Sequence, residues 1–278
     1  MQEKTLNLIH IAVLLPHYND PDGLNATLKS LDKGNYALQL VVVDDGSFTR
    51  YVPKKAEIEA KFKHYGGVVN VHLLKLESNQ GVEYALNFGL EFIFNSLKAD
   101  YILRIDCGDL CINNRIQKQV EFLENNSEID LVGSWVKYSD DNSNYLYTLK
   151  LPLIHEQLVK KRFIRVPFIH SAVLVKYEAF KRIGLYSTDF KAAEDYEIFM
   201  RFINNGITAN LPEVLTEVKW RPYGISVKKR RKQLRNRFML LIKYRESNIY
   251  FIVGLIRVIF LMVIPYSILT SVKKQVYK

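Results

Sequence analysis

The sequence predicts an α/β fold, in which a mostly parallel sheet is flanked by helices and followed by a basic and apolar helical tail. Apolar runs alternate with amphipathic segments through about residue 150, which is the pattern of right-handed βαβ units. Three of these runs end in polar or acidic residues. Ligands of open α/β sheets bind beyond the carboxyl ends of the strands, so we expect a ligand site along that edge.

The elements of the N-terminal half are predicted from apolar runs that end at turns, with amphipathic helices between them. The predicted strands cover residues 9–15, 38–43, 68–74 and 101–105. The predicted helices cover about 20–31, 54–63 and a stretch that opens at Ser78-Asn79-Gln80-Gly81. Asp20 or Asp22 can cap the first helix, because an Asp side chain accepts hydrogen bonds from the free N–H groups of a first turn.

The strand over 101–105 carries the strongest functional signal, because it runs directly into Asp106 and Asp109. The first strand ends in Pro16-His17-Tyr18-Asn19-Asp20, and the second ends in Asp44-Asp45-Gly46-Ser47. One polar strand end is ordinary turn chemistry. Three such ends in succession indicate a binding site.

The regular alternation weakens beyond Leu151. Residues 113–125 predict a helix, and strands are predicted over 130–136 and 171–175, with a further candidate at 145–148. An amphipathic helix then begins with Glu194 and Asp195 in its first turn. The helix dipole favours acidic residues in that turn, which is an alternative explanation for this pair.

Composition and charge narrow the class of protein. The net charge of +10 is concentrated in residues 219–278, which carry +14 and leave −4 for the preceding residues. Cys107 and Cys111 are too close to form a stabilising disulfide framework and too few for a closed zinc site, which favours a reducing compartment. The first residues lack a basic segment followed by an apolar one, so we expect no secretory signal and a cytoplasmic catalytic body.

The ordered set of motifs resembles the family 2 glycosyltransferases, which are nucleotide-sugar enzymes of the GT-A fold. Within that family it is similar to the bacterial exopolysaccharide and O-antigen enzymes of the amylovoran-biosynthesis type. The resemblance covers about residues 7–220, so we expect a GT-A domain over 1–220 and a separate tail over 221–278. The matching segments are 13–19, 41–47, Asn79-Gln80-Gly81 with Ala85-Leu86-Asn87, 106–109 at the position of the metal-binding DxD, and the Glu194-Asp195 pair.

The resemblance implies a role for each motif. Asp195 is the expected general base, with Glu194 as its neighbour, because a carboxylate can accept the proton as the acceptor hydroxyl attacks. His170 could contact the acceptor or the departing phosphate, although a structural histidine bonded to backbone is an equal alternative. The nucleotide-sugar contacts are expected from Pro16, Tyr18, Asn19, Asp45, Asn79, Gly81 and Asp106.

A divalent cation, Mg²⁺ or Mn²⁺, is expected as cofactor, because a nucleotide diphosphate is strongly anionic and these ions prefer oxygen ligands. The resemblance assigns it to Asp106 and Asp109. The family commonly has an acidic residue where this chain has Gly108, and that missing carboxylate is often the direct ligand.

The tail predicts association with a membrane rather than with nucleic acid, for which we find no recognition motif. Residues 228–237 carry seven cations in ten positions, and 249–270 are apolar except for Arg257. Cations near anionic headgroups contribute about 1 kcal/mol each. Because Arg257 would cost roughly 2.5–3.5 kcal/mol at the centre of a span, a helix in the interface is favoured over a spanning one, and a helix packed on the catalytic domain is a third possibility.

The sequence therefore predicts an inverting, non-processive glycosyltransferase at the cytoplasmic face of a bacterial inner membrane. Its expected partners are a nucleotide-sugar donor, most simply a UDP-sugar, a polyprenyl-diphosphate-linked glycan acceptor and an anionic membrane surface. A processive synthase would need several spanning helices and a Gln-x-x-Arg-Trp motif, which the sequence lacks. The alternative function is a catalytically silent sugar-nucleotide-binding protein, which Gly108 makes credible.

Overall fold

The computed structural model describes residues 8–31, 34, 36–62, 68–220 and 229–264. The N-terminal half alternates strands and helices as predicted. Its elements are β1 (Ile9–His17), α1 (Pro21–Ser30), β2 (Tyr36–Asp44), α2 (Lys55–Lys61), β3 (Val68–Lys75), α3 (Val82–Ser96) and β4 (Tyr101–Arg104), with a 3-10 turn at Thr49–Tyr51.

The second half is less regular. Its elements are β5 (Leu110–Cys111), α4 (Arg115–Asn125), β6 (Ile129–Ser139), β7 (Tyr145–Leu149), α5 (His155–Lys161), a 3-10 turn at His170–Ala172, β8 (Leu174–Lys176), α6 (Tyr177–Ile183), α7 (Glu194–Asn205) and β9 (Ile207–Lys219). Two helices of the tail follow, α8 (Arg230–Lys243) and α9 (Ile249–Val263).

The described strands form one nine-stranded sheet in the order β3-β2-β1-β4-β8-β6-β9-β5, with β7 paired to β6. The prediction of a mostly parallel sheet is wrong for its second half. Strands β3, β2, β1 and β4 are parallel, but β8 runs antiparallel to both β4 and β6, and β5 runs antiparallel to β9. The sheet is therefore mixed, and its second half also contains one parallel pairing, between β6 and β9.

Both faces of the sheet are covered, which explains why the first strands read as continuous apolar runs. Val13 and Leu15 pack on the layer that contains α1 and α4, whereas Ala12 and Leu14 pack on the layer of α3, α6 and α7. This alternation follows the two-residue period of a strand. The carboxyl ends of β1, β2 and β4 consequently lie side by side at one edge.

Strand β9 was not predicted, although it is the longest strand and pairs with β6 in parallel. It contains Pro212 and Glu213, which look like a turn in sequence. The pairing accommodates them through register shifts next to Trp135. Sequence patterns therefore conceal the strand that closes the second half of the sheet.

The tail helices pack on the layer that contains α7. Leu240 and Leu241 of α8 and Val258 of α9 are buried in one cluster with Tyr196 and Met200 of α7. None of the helices in the described ranges is long and apolar enough to cross a bilayer. Helix α9 covers 249–263 of the predicted apolar segment, whereas Lys228 of the basic run and residues 265–270 lie outside the described residues.

Candidate active site

The loops after β1 and β2 are joined by polar contacts. The buried His17 places Nδ1 3.1 Å from Oδ1 of Asp44. The Asn19 N–H donates to Oγ of Ser47 at 2.8 Å, and Oδ1 of Asn19 accepts from the Phe48 N–H at 2.8 Å. Asn19 therefore holds the two loops together with its side-chain oxygen. Tyr18, between these contacts, is 45% exposed, so its ring is available to a flat ligand.

Asp45 anchors the segment that precedes α3. Its carboxylate accepts from the Gln80 N–H at 2.8 Å, the Gly81 N–H at 3.0 Å and Nδ2 of Asn79 at 3.0 Å. Gly81 has φ +108, a conformation that an L side chain rarely adopts. The three predicted residues Asp45, Asn79 and Gly81 thus form one structural unit beside the β2 end.

Asp106 lies just beyond β4 and is held by two neighbours. Nη2 of the fully buried Arg104 donates to Oδ1 at 2.5 Å, and the Ser171 hydroxyl donates to Oδ2 at 2.6 Å. Burial alone would raise the pKa of Asp106, but the Arg104 charge and the hydrogen bonds from Ser171 and Arg104 together outweigh it, so the pKa falls to about 2. The side chain is 40% exposed and remains charged at the edge of the sheet.

Asp109 does not fit the predicted role of a metal ligand. It is 7% exposed, and its Oδ1 accepts from the Lys219 N–H of β9 at 3.1 Å. Burial and the charge on Asp106 raise the pKa of Asp109 to about 7. Asp109 is therefore a partly protonated residue that ties β9 to the turn after β4.

The fit to a metal rests on Asp106 alone. Among the described residues no group of three or more His, Cys, Asp or Glu side chains is arranged to hold an ion. Gly108, at φ +97, supplies no side-chain ligand. Mg²⁺ in nucleotide sites is often bound by one or two carboxylates together with the substrate phosphates. The partly exposed Asp106 suits that arrangement. The described residues contain no metal site built from protein ligands alone.

His170 lies beside Arg104, the arginine that pairs with Asp106. Its Nε2 lies 2.8 Å from the Tyr186 hydroxyl, and its Nδ1 lies 3.5 Å from Nη2 of Arg104. Burial and the Arg104 charge lower the pKa of His170 to about 3. The imidazole is therefore neutral at physiological pH, and its contacts are with side chains rather than backbone.

Glu194 and Asp195 begin α7 at the same edge. Burial and the neighbouring Asp195 charge raise the pKa of Glu194 to about 8, so Glu194 is mostly protonated at neutral pH. Burial also raises the pKa of Asp195, and Asp106 contributes to that increase. The two neighbouring carboxyls therefore disfavour each other's ionisation, and the pKa values of both lie above their usual range.

The acids from distant parts of the chain converge. Besides burial, the charge on Glu83 raises the pKa of both Asp45 and Glu194, so Glu83 lies between the two halves of the site. Asp106 likewise acts on Asp195 across the edge. The structure thus brings Asp45, Asp106 and the pair at 194–195 together at one rim.

Sequence reasoning missed several residues of this rim. Arg104 is fully buried and pairs with Asp106, and Ser171 and Tyr186 complete the contacts of Asp106 and His170. A cation inside the apolar run at 101–105 was a visible signal for Arg104. Ser171 and Tyr186 had no local signal, since only the packing of β8 and α6 against β4 brings them near.

The fold and this rim define the class of protein. The structure resembles that of the mannosyltransferase PcManGT from Pyrobaculum calidifontis in complex with GDP-Man and Mn²⁺, with a TM-score of 0.64 over 95% of this chain and 73% of that chain at 17% identity. At this identity the likeness concerns the fold, which is a GT-A-like glycosyltransferase fold with a mixed sheet.

The sequence comparisons identify the family. The sequence model of Glycosyl transferase family 2 matches residues 12–184, and the chain belongs to this family of glycosyltransferases. It is 30% identical over 212 residues to the amylovoran biosynthesis glycosyltransferase AmsE of Erwinia amylovora, covering 75% of each chain. It is 27% identical over 213 residues to the UDP-Gal:alpha-D-GlcNAc-diphosphoundecaprenol beta-1,3-galactosyltransferase of Escherichia coli, covering 75% of this chain and 74% of that one. The predicted family is therefore confirmed.

Proposed function

We propose that the chain is an inverting, non-processive glycosyltransferase that moves one sugar from a UDP-sugar to a polyprenyl-diphosphate-linked glycan. The observation that carries this proposal is that acids from distant parts of the chain share one rim. The charge on Asp106 raises the pKa of Asp195, and Asp45 orders the neighbouring loop by accepting from the Gln80 N–H. The names of the relatives support it: the Escherichia coli protein uses UDP-Gal and a diphosphoundecaprenol-linked acceptor.

The donor half of the site is formed by the loops after β1, β2 and β3. The exposed ring of Tyr18 can cover a nucleobase, and Pro16 in β1 supports the same edge. Asp45 fixes the backbone from Asn79 to Gly81, and this segment leads into the N-terminus of α3, an end of a helix that favours an anion. In this proposal Asp45 acts mainly by shaping the loop, because its oxygens are already bonded to it.

Inversion requires a base on the acceptor side and compensation of the negative charge on the departing diphosphate. Asp195 takes the acceptor proton, and the protonated Glu194 beside it removes the competing charge. On the other side, Nδ1 of the neutral His170 accepts from Arg104 and its Nε2–H donates to the Tyr186 hydroxyl, which can in turn donate to a phosphate or an acceptor oxygen.

A bound Mg²⁺ or Mn²⁺ would neutralise charge on the leaving diphosphate, and Asp106 would be its protein ligand. We expect UDP to bind more tightly with Mn²⁺ than without it in isothermal titration. The Asp106→Asn variant should lose that difference. Equal affinities of the wild type under both conditions would remove the metal from the proposal.

In this proposal the enzyme works at a membrane, because its acceptor is lipid-linked and its tail has an apolar outer side. The outer side of α9 exposes Ile252, Ile256, Ile259, Phe260 and Val263. Arg257 donates from Nη1 to the Ile164 carbonyl at 2.6 Å, so its polar group is directed at the catalytic domain. An apolar outer side with cations nearby suits the cytoplasmic leaflet of a bacterial inner membrane, where α9 lies in the interface.

The Asp195→Asn variant tests the catalytic assignment. We expect turnover to fall by roughly two to four orders of magnitude, the usual contribution of a general base, while UDP affinity stays within about twofold. The measurement is transfer from UDP-sugars to a polyprenyl-diphosphate-linked sugar. Asp189→Asn is the matched control, because Asp189 is exposed in the loop before α7 and should keep its activity.

Two outcomes would contradict the proposal. Near wild-type turnover of the Asp195→Asn variant would exclude Asp195 as the base. UDP binding by the wild type without transfer from UDP-, GDP- or dTDP-sugars would favour the silent binding protein, which Gly108 suggests.

A further inference from the structure

Helices α8 and α9 of the tail each direct an arginine at the same backbone oxygen. Nη2 of Arg237 on α8 donates to the Ile164 carbonyl at 2.8 Å, and Nη1 of Arg257 on α9 donates to that oxygen at 2.6 Å. Arg237 and Arg257 thus form an arginine pair, in which two guanidinium groups from different helices lie side by side. Their positive charges repel each other, and an anion bound beside them would relieve the repulsion.

The contacts of Arg237 leave its charge without a counter-charge. Besides the bond to Ile164, its guanidinium carbon lies 5.0 Å from the centroid of the Tyr196 ring, and neither partner is a carboxylate. Its buried Nε has no hydrogen-bond partner within the described residues. Arg162, on the same turn as Ile164, differs because it forms an ion pair with Glu246. The guanidinium of Arg237 is therefore held in place but incompletely paired.

The arginine pair borders the apolar outer side of α9. Val253 and Phe260, 41% and 61% exposed, lie four residues before and three residues after Arg257, so they flank it on the helix surface. Arg257 is exposed and Arg237 is half-buried. An anion can therefore reach the pair from the surface, and an apolar chain attached to that anion would lie along α9.

The arginine pair is also close to the proposed base. Arg237 packs on the ring of Tyr196, and the Tyr196 N–H donates to Oδ1 of Asp195 at 2.7 Å. The Tyr196 hydroxyl donates to the Arg162 carbonyl, so this residue is fixed at both ends. The proposed base, the arginine pair and the apolar surface of α9 consequently form one continuous series.

A lipid-linked acceptor has three parts in the matching order. Its sugar carries the attacking hydroxyl, a diphosphate follows, and the apolar polyprenyl chain comes last. Guanidinium groups suit phosphate oxygens, because their planar donors can engage two oxygens at once. We propose that Arg237 and Arg257 bind the diphosphate of the acceptor, with its sugar at Asp195 and its lipid along α9. The inference rests on the proposed function and makes the tail a part of the acceptor site.

The test removes charge from the enzyme and from the acceptor in turn. One acceptor carries its sugar on a long-chain alkyl diphosphate, and the other carries the same sugar on a neutral alkyl chain of equal length. Transfer is measured in detergent micelles, so binding to a bilayer does not contribute. We expect Arg237→Gln and Arg257→Gln to lower kcat/KM for the diphosphate acceptor by about tenfold to hundredfold, the usual contribution of a hydrogen bond to a charged group. The value for the neutral acceptor should stay within about twofold.

The ratio of the two kcat/KM values separates phosphate binding from support of the fold. A variant that only loosens the tail lowers both values alike and leaves the ratio unchanged. Arg235→Gln removes an exposed cation from the same helix and should also leave the ratio unchanged. Arg237→Lys keeps the positive charge and should retain most of the preference for the diphosphate acceptor.

Two further measurements complete the test. The KM for the UDP-sugar should stay within about twofold in every variant, because the arginine pair lies outside the donor half of the site. A sugar-free alkyl diphosphate should inhibit the wild type in competition with the acceptor, and its inhibition constant should rise by the same factor in the Gln variants. This inhibition supplies the comparison if the neutral acceptor reacts too slowly to measure. If Arg237→Gln fails to fold, the exposed Arg257 carries the same prediction.

The possible outcomes are distinct. An unchanged ratio and inhibition constant in both Gln variants would overturn the inference and leave the proposed transfer reaction intact. The same result together with weaker flotation on vesicles of phosphatidylglycerol and phosphatidylethanolamine would assign the arginine pair to bilayer headgroups instead of the acceptor. A wild type that transfers sugar to neither acceptor would contradict the proposed function itself.

Discussion

Arg104 shows how a single residue determines the charge of the site. Its side chain is fully buried in β4, where an unpaired guanidinium would be very costly. The contact with Asp106 at 2.5 Å provides the counter-charge and helps to keep that carboxylate ionised, while the raised pKa of Asp109 leaves the other acid partly protonated. The site therefore holds one firmly ionised carboxylate at the end of β4, where the sequence shows two acids.

We predict that Arg104→Met lowers the free energy of unfolding by about 3 kcal/mol, near the lower end of the range for breaking a buried pair, because Asp106 is partly exposed. Urea denaturation of the purified protein measures it. The matched control is Arg182→Met, which removes an Arg–Asp pair of nearly equal length, 2.6 Å, whose arginine is 52% exposed. That change should cost less than about 1 kcal/mol. Similar costs for both variants would contradict the electrostatic account.

At the scale of elements, the tail helices are part of the catalytic layer. Gly254 of α9 faces Phe163, and a methyl group added there would lie 2.4 Å from the Phe163 carbonyl oxygen. A backbone atom cannot rotate away as a side chain can, so α9 would have to shift. The close approach of α9 to the catalytic domain thus depends on the absence of a side chain at this position.

We predict that Gly254→Ala lowers Tm, although alanine is favoured over glycine by about 1 kcal/mol in an isolated helix. The free energy of unfolding should fall by about 1–2 kcal/mol, because the cost of displacing the packed helix exceeds the stability that alanine adds through its helix propensity. Differential scanning calorimetry provides the measurement. Val253→Ala, at an exposed position of the same helix, should change stability by less than about 0.5 kcal/mol. A higher Tm for Gly254→Ala would indicate that α9 does not pack tightly.

For the whole molecule, the proposed membrane association depends on where the exposed apolar side chains and cations of the tail lie. The outer side of α9 carries exposed apolar residues, and Arg231, Lys232 and Arg235 of α8 are exposed cations. The inner sides of both helices are buried on α7. Removing the whole tail would expose that inner cluster, so single substitutions on the outer side test membrane association more cleanly than truncation does.

We predict that Ile256→Glu reduces binding to vesicles of phosphatidylglycerol and phosphatidylethanolamine about tenfold or more, because Ile256 is 63% exposed and its burial in lipid contributes roughly 1.5–3 kcal/mol. Vesicle flotation measures the bound fraction. Ile154→Glu alters an isoleucine that is 53% exposed outside the tail and should bind like the wild type. Binding that is unaffected by Ile256→Glu would argue against α9 as the contact surface.

The sequence predicted most of what depends on local patterns. The strand predicted over 38–43 is the core of β2, and the carboxyl ends of β1, β2 and β4, where the acids were predicted, do lie side by side. Prediction from the sequence failed where a structural feature depends on contacts between residues that are distant in the chain. Strand β9 was hidden by Pro212, and the contact of Ser171 with Asp106 depends on elements that meet only after folding.

The amino-acid sequence by itself determined the order of strands and helices through β4, the family and the edge at which the proposed site lies, because these follow from two-residue and 3.6-residue periodicities and from short motifs. The tertiary structure decided the pKa values of the acids and which distant elements pack together. The physical reason is that desolvation and Coulomb interactions depend on distances in space: Asp106 pairs with Arg104, Asp109 is buried under β9, and Glu194 is buried beside Asp195.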